Sequence, residues 1–116
     1  MRYEIKGIDS ADAPDLEGWR PASLEDLYLG LTLSIGPVDQ EAADLFQIVI
    51  ASPQAIAGRP DRRRAKLLVV QEYDWPAIRR TLEAWVAECN ADSLGRVIDR
   101  LRQKFHWEYE GMGPPA

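Results

Sequence analysis

Alternating apolar and polar positions in the first half of the chain predict a β-sheet. In residues 2–9, "RYEIKGID", Tyr3 and Ile5 alternate with charged residues, a period typical of a strand with one buried face. The clearest strand is "LYLGLTLSI", residues 27–35, where every second residue is leucine or isoleucine. After a polar turn, "LFQIVIA" at 45–51 predicts a further strand. A connection of this length favours antiparallel pairing of the two strands.

The second half of the chain changes from strand to helix periodicity. The run Leu67–Val70 is apolar at every position, which predicts a fourth strand near the centre of the sheet. It follows "SPQAIAGRP", where we expect one short helical turn. Asp74 is placed to cap a helix at 75–89, and either Asp92 or Ser93 is placed to cap a second helix after the break "NADS". The predicted buried stripes are Ile78, Leu82, Trp85, Val86 and Cys89 in the first helix and Leu94, Val97, Ile98, Leu101 and Phe105 in the second.

The end of the chain, "HWEYE" at 106–110, predicts a last strand with Trp107 and Tyr109 facing inward. The predicted element order is β-β-β-β-α-α-β. Strands grouped before helices indicate an α+β fold, a mixed and mainly antiparallel sheet of about five strands with two helices packed on one face. We expect a single domain over residues 1–111 and a flexible tail at 112–116.

Composition narrows the class of protein. The 116 residues include 19 acidic and 14 basic side chains, a net charge of −5. Residues 1–58 carry a net −7 and residues 59–116 a net +2, so the first half should repel nucleic acid and favour a basic partner. The one dense basic cluster, "RPDRRR" at 59–64, lacks interleaved aromatic residues and predicts a solvated turn.

Cysteine usage and hydropathy predict a soluble, cytoplasmic protein. Cys89 is the single cysteine, so no internal disulfide forms and a reducing compartment fits best. Its place on a helical apolar stripe predicts a buried, inert thiol. We expect the charged start "MRYEIKGIDS" not to be a signal peptide, because it has no apolar run, and no apolar run in the sequence approaches the ~18 residues of a membrane span. We expect a monomer, with a dimer left open.

Signs of catalysis are few. His106, Glu108 and Glu110 would share one face of an extended strand, ~6.6–6.8 Å apart, and imidazole with carboxylates can hold a metal or transfer protons. His106 is the sole histidine, however, and no metalloprotease, nucleophile-elbow or phosphate-loop motif occurs. We therefore predict no catalytic residues, no metal ligands and no cofactor, and keep a small metal-binding or hydrolytic domain as an alternative.

Acidic loops are the better candidates for function. Residues 10–26 form a long connection broken by prolines and glycine, and such loops often bind partners. A second acidic stretch lies in the turn before residue 45. The candidate binding residues are Asp12, Asp15, Glu17 and Trp19 in the loop and Asp39, Glu41 and Asp44 in the turn.

The order of motifs resembles the immunity protein 8 family of bacterial polymorphic toxin systems. The similarity covers about residues 2–111 and is most specific at "IGP" (35–37), "EYD" (72–74) and "WEYE" (107–110). It implies a non-enzymatic antidote, kept in the cytoplasm of the producing cell, that binds a cognate toxin domain and blocks its action. The remaining alternative is a stand-alone interaction or regulatory domain.

Overall fold

The computed structural model describes residues 1–59 and 66–109. The strands are β1 (Tyr3–Asp9), β2 (Tyr28–Pro37), β3 (Asp44–Ala51), β4 (Leu67–Val69) and β5 (His106–Trp107). The helices are α1 (Pro53–Ala57), α2 (Trp75–Glu88) and α3 (Leu94–Lys104), with a single 3-10 turn at Leu24–Asp26. The order of strands and long helices is the one that the sequence predicts.

The five strands form one mixed sheet. The spatial order is β1-β2-β3-β4, and β5 pairs with β3 beside β4. β1 with β2, β2 with β3 and β3 with β5 are antiparallel, while β3 and β4 run parallel. The α+β class with a mainly antiparallel sheet is therefore confirmed.

One face of the sheet forms the core. The alternate residues of β2 and β3 that the sequence places on one side are 0–2 % exposed: Leu29, Leu31, Leu33, Ile35, Phe46, Ile48 and Ile50. They pack with buried side chains of α2 and α3, among them Leu82, Val86, Val97 and Leu101. Since a buried aliphatic side chain contributes about 1.5–3 kcal/mol, this layer is the main source of stability.

Both long helices begin where the sequence predicts a cap. The Asp74 carboxylate accepts a hydrogen bond from the Ala77 backbone N–H at 3.3 Å, and the Ser93 hydroxyl accepts one from Arg96 N–H at 3.4 Å. These bonds satisfy amide groups that a helix start leaves unpaired. Between the helices, the Asn90 side chain accepts a hydrogen bond from the Tyr3 N–H at 2.9 Å and ties β1 to the helical layer.

Three details of the predicted packing are wrong. β4 lies at the end of the strand order, not at its centre, and Val69 is half exposed. A short apolar run such as Leu67–Val70 does not distinguish an edge strand from a central one. Leu94 is 52 % exposed, since it starts α3 one turn before the stripe reaches the core at Val97. The last strand stops at Trp107, and a turn leaves Tyr109 49 % exposed instead of facing inward.

Other predictions hold or lie outside the described residues. Cys89 is buried, and burial raises the pKa of its thiol, as an unreactive side chain requires. The described helices are all too short or too polar to cross a membrane. Most of the basic cluster (60–64), Glu110 and the predicted tail at 112–116 fall outside the described residues.

Candidate functional site

The predicted acids of the turn, Asp39, Glu41 and Asp44, lie at one end of the β2–β3 hairpin; we call them the turn surface. Pro37 ends β2 and Asp44 begins β3. A side chain at Gly36 would overlap the Ala42 carbonyl, so only glycine lets the turn fold this closely over the strand end. The close turn holds Asp39 and Glu41 exposed to solvent.

Asp44 is the one partly buried acid of this surface. Burial raises the pKa of its carboxyl group, and the negative charge of Glu108 raises it further. The indole of Trp107 opposes these effects, although its buried N–H has no hydrogen bond of standard geometry among the described residues. Two carboxylates therefore lie close together here, and a basic group would relieve their repulsion.

Glu108 lies beside the turn surface, close enough for its charge to act on Asp44, although the sequence suggested it only as a possible metal ligand. Its backbone N–H donates to the Leu45 carbonyl at 3.0 Å, and its carboxylate accepts from the Leu45 N–H at 3.1 Å. Both bonds exist because β5 pairs with β3. A pairing of residues more than sixty positions apart leaves no local signal in the sequence.

The same end of the sheet exposes apolar side chains. Val38 in the turn, Leu45 at the start of β3 and Tyr109 after β5 are 46 %, 43 % and 49 % exposed. The Tyr109 ring lies edge-on to Trp107, with 5.1 Å between ring centroids. Apolar and aromatic groups beside acids are a composition found at protein interfaces.

The acids of the long loop, Asp12, Asp15 and Glu17 with Trp19, are held differently; we call these four residues the loop surface. The Trp19 ring packs edge-on against Tyr73, with 4.8 Å between centroids. The Tyr73 hydroxyl donates to the Leu16 carbonyl at 2.6 Å. Trp19 thus fastens the loop to the entrance of α2, while the three carboxylates remain exposed.

Neighbouring groups balance part of the charge of the loop surface. The Arg20 guanidinium donates to the carbonyls of Glu17 and Trp19 at 2.9 and 2.7 Å. Burial raises the pKa of the Tyr73 hydroxyl, Arg20 lowers it and Asp15 raises it. Arg20 and Asp15 therefore have opposite effects on the pKa of the Tyr73 hydroxyl. The acid that acts on Asp44, Glu108, raises the pKa of that carboxyl group.

The two predicted surfaces are attached to different parts of the fold. Trp19 of the loop surface packs on Tyr73 at the entrance of α2, whereas Asp44 of the turn surface lies beside Glu108 after β5. We therefore treat the seven predicted residues as two candidate sites.

A third feature is the sheet face that the helices leave uncovered. A groove of about 440 Å³ lies over β2 and β3, and its floor includes Gly30, Thr32, Gln47 and Val49. Asp12 of the loop surface lines the groove together with Lys66 and His106. Sequence alternation predicts the small and polar floor, but it does not predict the walls, which come from distant segments.

The alternative metal site gains no further ligand from the fold. His106 pairs with Gln47 within the sheet, and Glu108 follows the strand and binds the Leu45 backbone. Over residues 1–59 and 66–109, no three histidine, cysteine, aspartate or glutamate side chains are grouped to hold a metal. The third predicted ligand, Glu110, is outside those ranges.

Comparison with known proteins gives one match. A protein-family model described as Immunity protein 8 matches residues 3–112, which is nearly the whole chain and agrees with the resemblance of the motifs. No curated protein and no solved structure matches significantly.

Proposed function

Because the chain belongs to the immunity protein 8 family, we propose that it neutralises a cognate bacterial toxin domain by stoichiometric binding. It acts in the cytoplasm of the producing cell as a monomer, without a cofactor, and catalyses no reaction. The family match over residues 3–112 carries this proposal. The well-packed sheet and the exposed acids beside it suit a protein that works by occupying a partner.

The acidic surfaces indicate that the partner presents a basic surface. With a net charge of −7 in residues 1–58, the protein attracts a basic toxin surface and speeds encounter by electrostatic steering. Toxin domains that act on nucleic acids have basic clefts, and carboxylates can take the place of phosphate in such a cleft. Covering the cleft would block substrate entry.

The turn surface and the loop surface contribute differently to this binding. At the turn, exposed Leu45 and Tyr109 lie beside the acids, and buried apolar anchors inside a polar rim provide most of the affinity at protein interfaces. In the loop, the Trp19 ring packs against Tyr73 and is not free to anchor a partner. The carboxylates of the loop surface therefore act through long-range attraction. We propose that the turn surface supplies contact and the loop surface supplies steering.

Co-expression tests the proposed function directly. The neighbouring gene is first examined for a large secreted protein with a variable C-terminal domain, and that domain is then expressed in bacteria with and without the chain. Neutralisation predicts survival only with it, together with a 1:1 complex of the purified proteins. Continued killing in the presence of abundant folded protein, or protection without any complex, contradicts the proposal.

Charge reversal tests the two surfaces. The double variants Asp39→Lys with Glu41→Lys, and Asp12→Lys with Glu17→Lys, should each slow association with the toxin about tenfold or more at low salt and flatten its salt dependence. The double variant Asp92→Lys with Asp99→Lys changes two exposed acids outside both surfaces; it alters the net charge by the same amount and is the matched control. If a variant associates with the toxin as fast as the control does, the surface that it changes is not part of the interface.

A further inference from the structure

Gly30 is the third residue of β2, an interior strand of the sheet, and it has no local reason to be glycine. Its neighbours keep a regular ladder, with Leu29 opposite Ile50 and Leu31 opposite Ile48. A Cβ at this position would meet no atom within 4 Å, and the backbone is not left-handed. Gly36 at the other end of the same strand differs, because its side chain would overlap the turn.

Glycine inside a strand weakens it, and it often marks a place where another backbone or a ligand approaches closely. At Gly30 no bulge interrupts the pairing, and no described part of the chain fills the space above it. That space belongs to the groove of about 440 Å³ on the uncovered face. Its volume lies within the ~300–1,000 Å³ of protein binding clefts.

The groove has polar groups on its floor and opposite charges in its lining. The Thr32 hydroxyl and the Gln47 carboxamide can each donate and accept hydrogen bonds. Asp12 contributes a negative charge to the lining and Lys66 a positive one. The Lys66 ammonium group donates a long hydrogen bond of 3.5 Å to the Gln103 carbonyl at the end of α3.

These features favour a polypeptide over a compact small molecule. Clefts for small ligands commonly use aromatic side chains to cover the ligand, whereas the described residues that line this groove include no phenylalanine, tyrosine or tryptophan. A peptide backbone offers N–H and C=O groups for Thr32 and Gln47, and it can pass close over a residue that has no side chain. A basic side chain of the occupant would face Asp12, and a carboxylate or carbonyl would face Lys66.

We infer that the groove over Gly30 receives an extended segment of the toxin, bound with a basic side chain against Asp12. This inference rests on the proposed function and adds a contact site that neither the turn surface nor the family match assigns. It also gives Asp12 a direct contact in addition to long-range attraction.

The variant Gly30→Phe tests the inference by filling the floor of the groove. Phenylalanine is favoured in strands and the position is open, so the melting temperature should equal or exceed that of the wild type. Affinity for the purified toxin domain, measured by calorimetry, should fall at least 100-fold. Gly95→Phe on α3, where a side chain also meets no atom within 4 Å, should leave affinity unchanged.

The outcomes separate this inference from the proposed function. If wild type binds the toxin and folded Gly30→Phe binds it within threefold as tightly, the groove is not the contact and the proposed function stands. If wild type does not bind, the proposed function itself fails. Should Gly30→Phe not fold, Gly30→Ala decides, with a loss of about fivefold expected and an unchanged affinity overturning the inference. A changed oligomeric state of free Gly30→Phe with unchanged toxin affinity would assign the groove to a second copy and also overturn it.

Discussion

The two faces of the sheet are made by the same strands and have opposite characters. On the covered face of β2, four leucine and isoleucine side chains are at most 2 % exposed beneath α2 and α3. On the uncovered face, the residues between them include Gly30, Thr32 and Ser34. Because successive side chains of a strand point to opposite sides, neighbours in the sequence belong to different environments.

The difference separates stability from binding. Apolar burial on the covered face holds the strands together, so that the uncovered face contributes little to the free energy of folding. Side chains there can be small, polar and exposed at low cost, which leaves room for a partner. The comparison predicts that substitutions will affect stability or binding according to the face they occupy.

The largest expected effect comes from neighbouring residues on the two faces. Leu33→Ala removes a fully buried side chain and should lower the free energy of unfolding by about 2–5 kcal/mol. Ser34→Ala, one residue later and on the uncovered face, should change it by less than about 0.5 kcal/mol. Urea denaturation of both variants measures the difference. Similar losses for both would show that the two faces do not differ as described.

An intermediate effect on stability is expected at the start of α2, which covers the sheet. Asp74→Ala removes the carboxylate that accepts the Ala77 N–H and should cost about 1 kcal/mol. Glu72→Ala, which removes an exposed acid just before the helix, is the control and should cost less than about 0.5 kcal/mol. Thermal denaturation followed by circular dichroism compares them. Equal losses of stability in the two variants would mean that the Asp74 cap does not stabilise α2.

The smallest effect concerns Asp44 at the turn surface. Its pKa is raised above the ordinary 3.8, first by burial and then by Glu108, so its stabilising contribution is complete below pH 3.8 and is lost as pH rises through the folded-state pKa. Asp44→Asn should therefore be more stable than wild type at pH 7, by less than about 1 kcal/mol.

The gain of Asp44→Asn should shrink as pH falls through the raised folded-state pKa and be small below 3.8, because the wild-type carboxyl group is then mostly protonated in both states. Urea denaturation at pH 7 and at pH 3.5 measures it, with Asp39→Asn on the exposed turn as the control. A stability gain that is independent of pH, or a loss at pH 7, would contradict the electrostatic cause.

Much of the fold can be predicted from local patterns. The alternation in β1, β2 and β3, the caps Asp74 and Ser93 and the helical stripes all depend on residues within a few positions of one another. The family resemblance also follows from the order of these segments, and the match over residues 3–112 agrees with it. Predictions failed where the outcome depends on distant partners, as at β4 and Tyr109.

The candidate site shows the same limit. The sequence identifies Asp12 and Asp44 as acids in a loop and a turn. Asp12 lines the same groove as Lys66 and His106 only because β4 and β5 pair with β3. Glu108 joins Asp44 for the same reason. Contacts between residues fifty or more positions apart depend on strand order, which local periodicity does not encode.

The sequence by itself determined which residues alternate, where the helices are capped, which side chains are apolar and how charge divides between the halves. These properties follow from covalent order and from side-chain chemistry within one or two turns or strands. Only the tertiary structure decided that the acids are attached to different parts of the fold and that the small residues of β2 and β3 become the floor of a groove. The physical reason is that burial and electrostatics act through space, and the sheet places segments from both halves of the chain side by side.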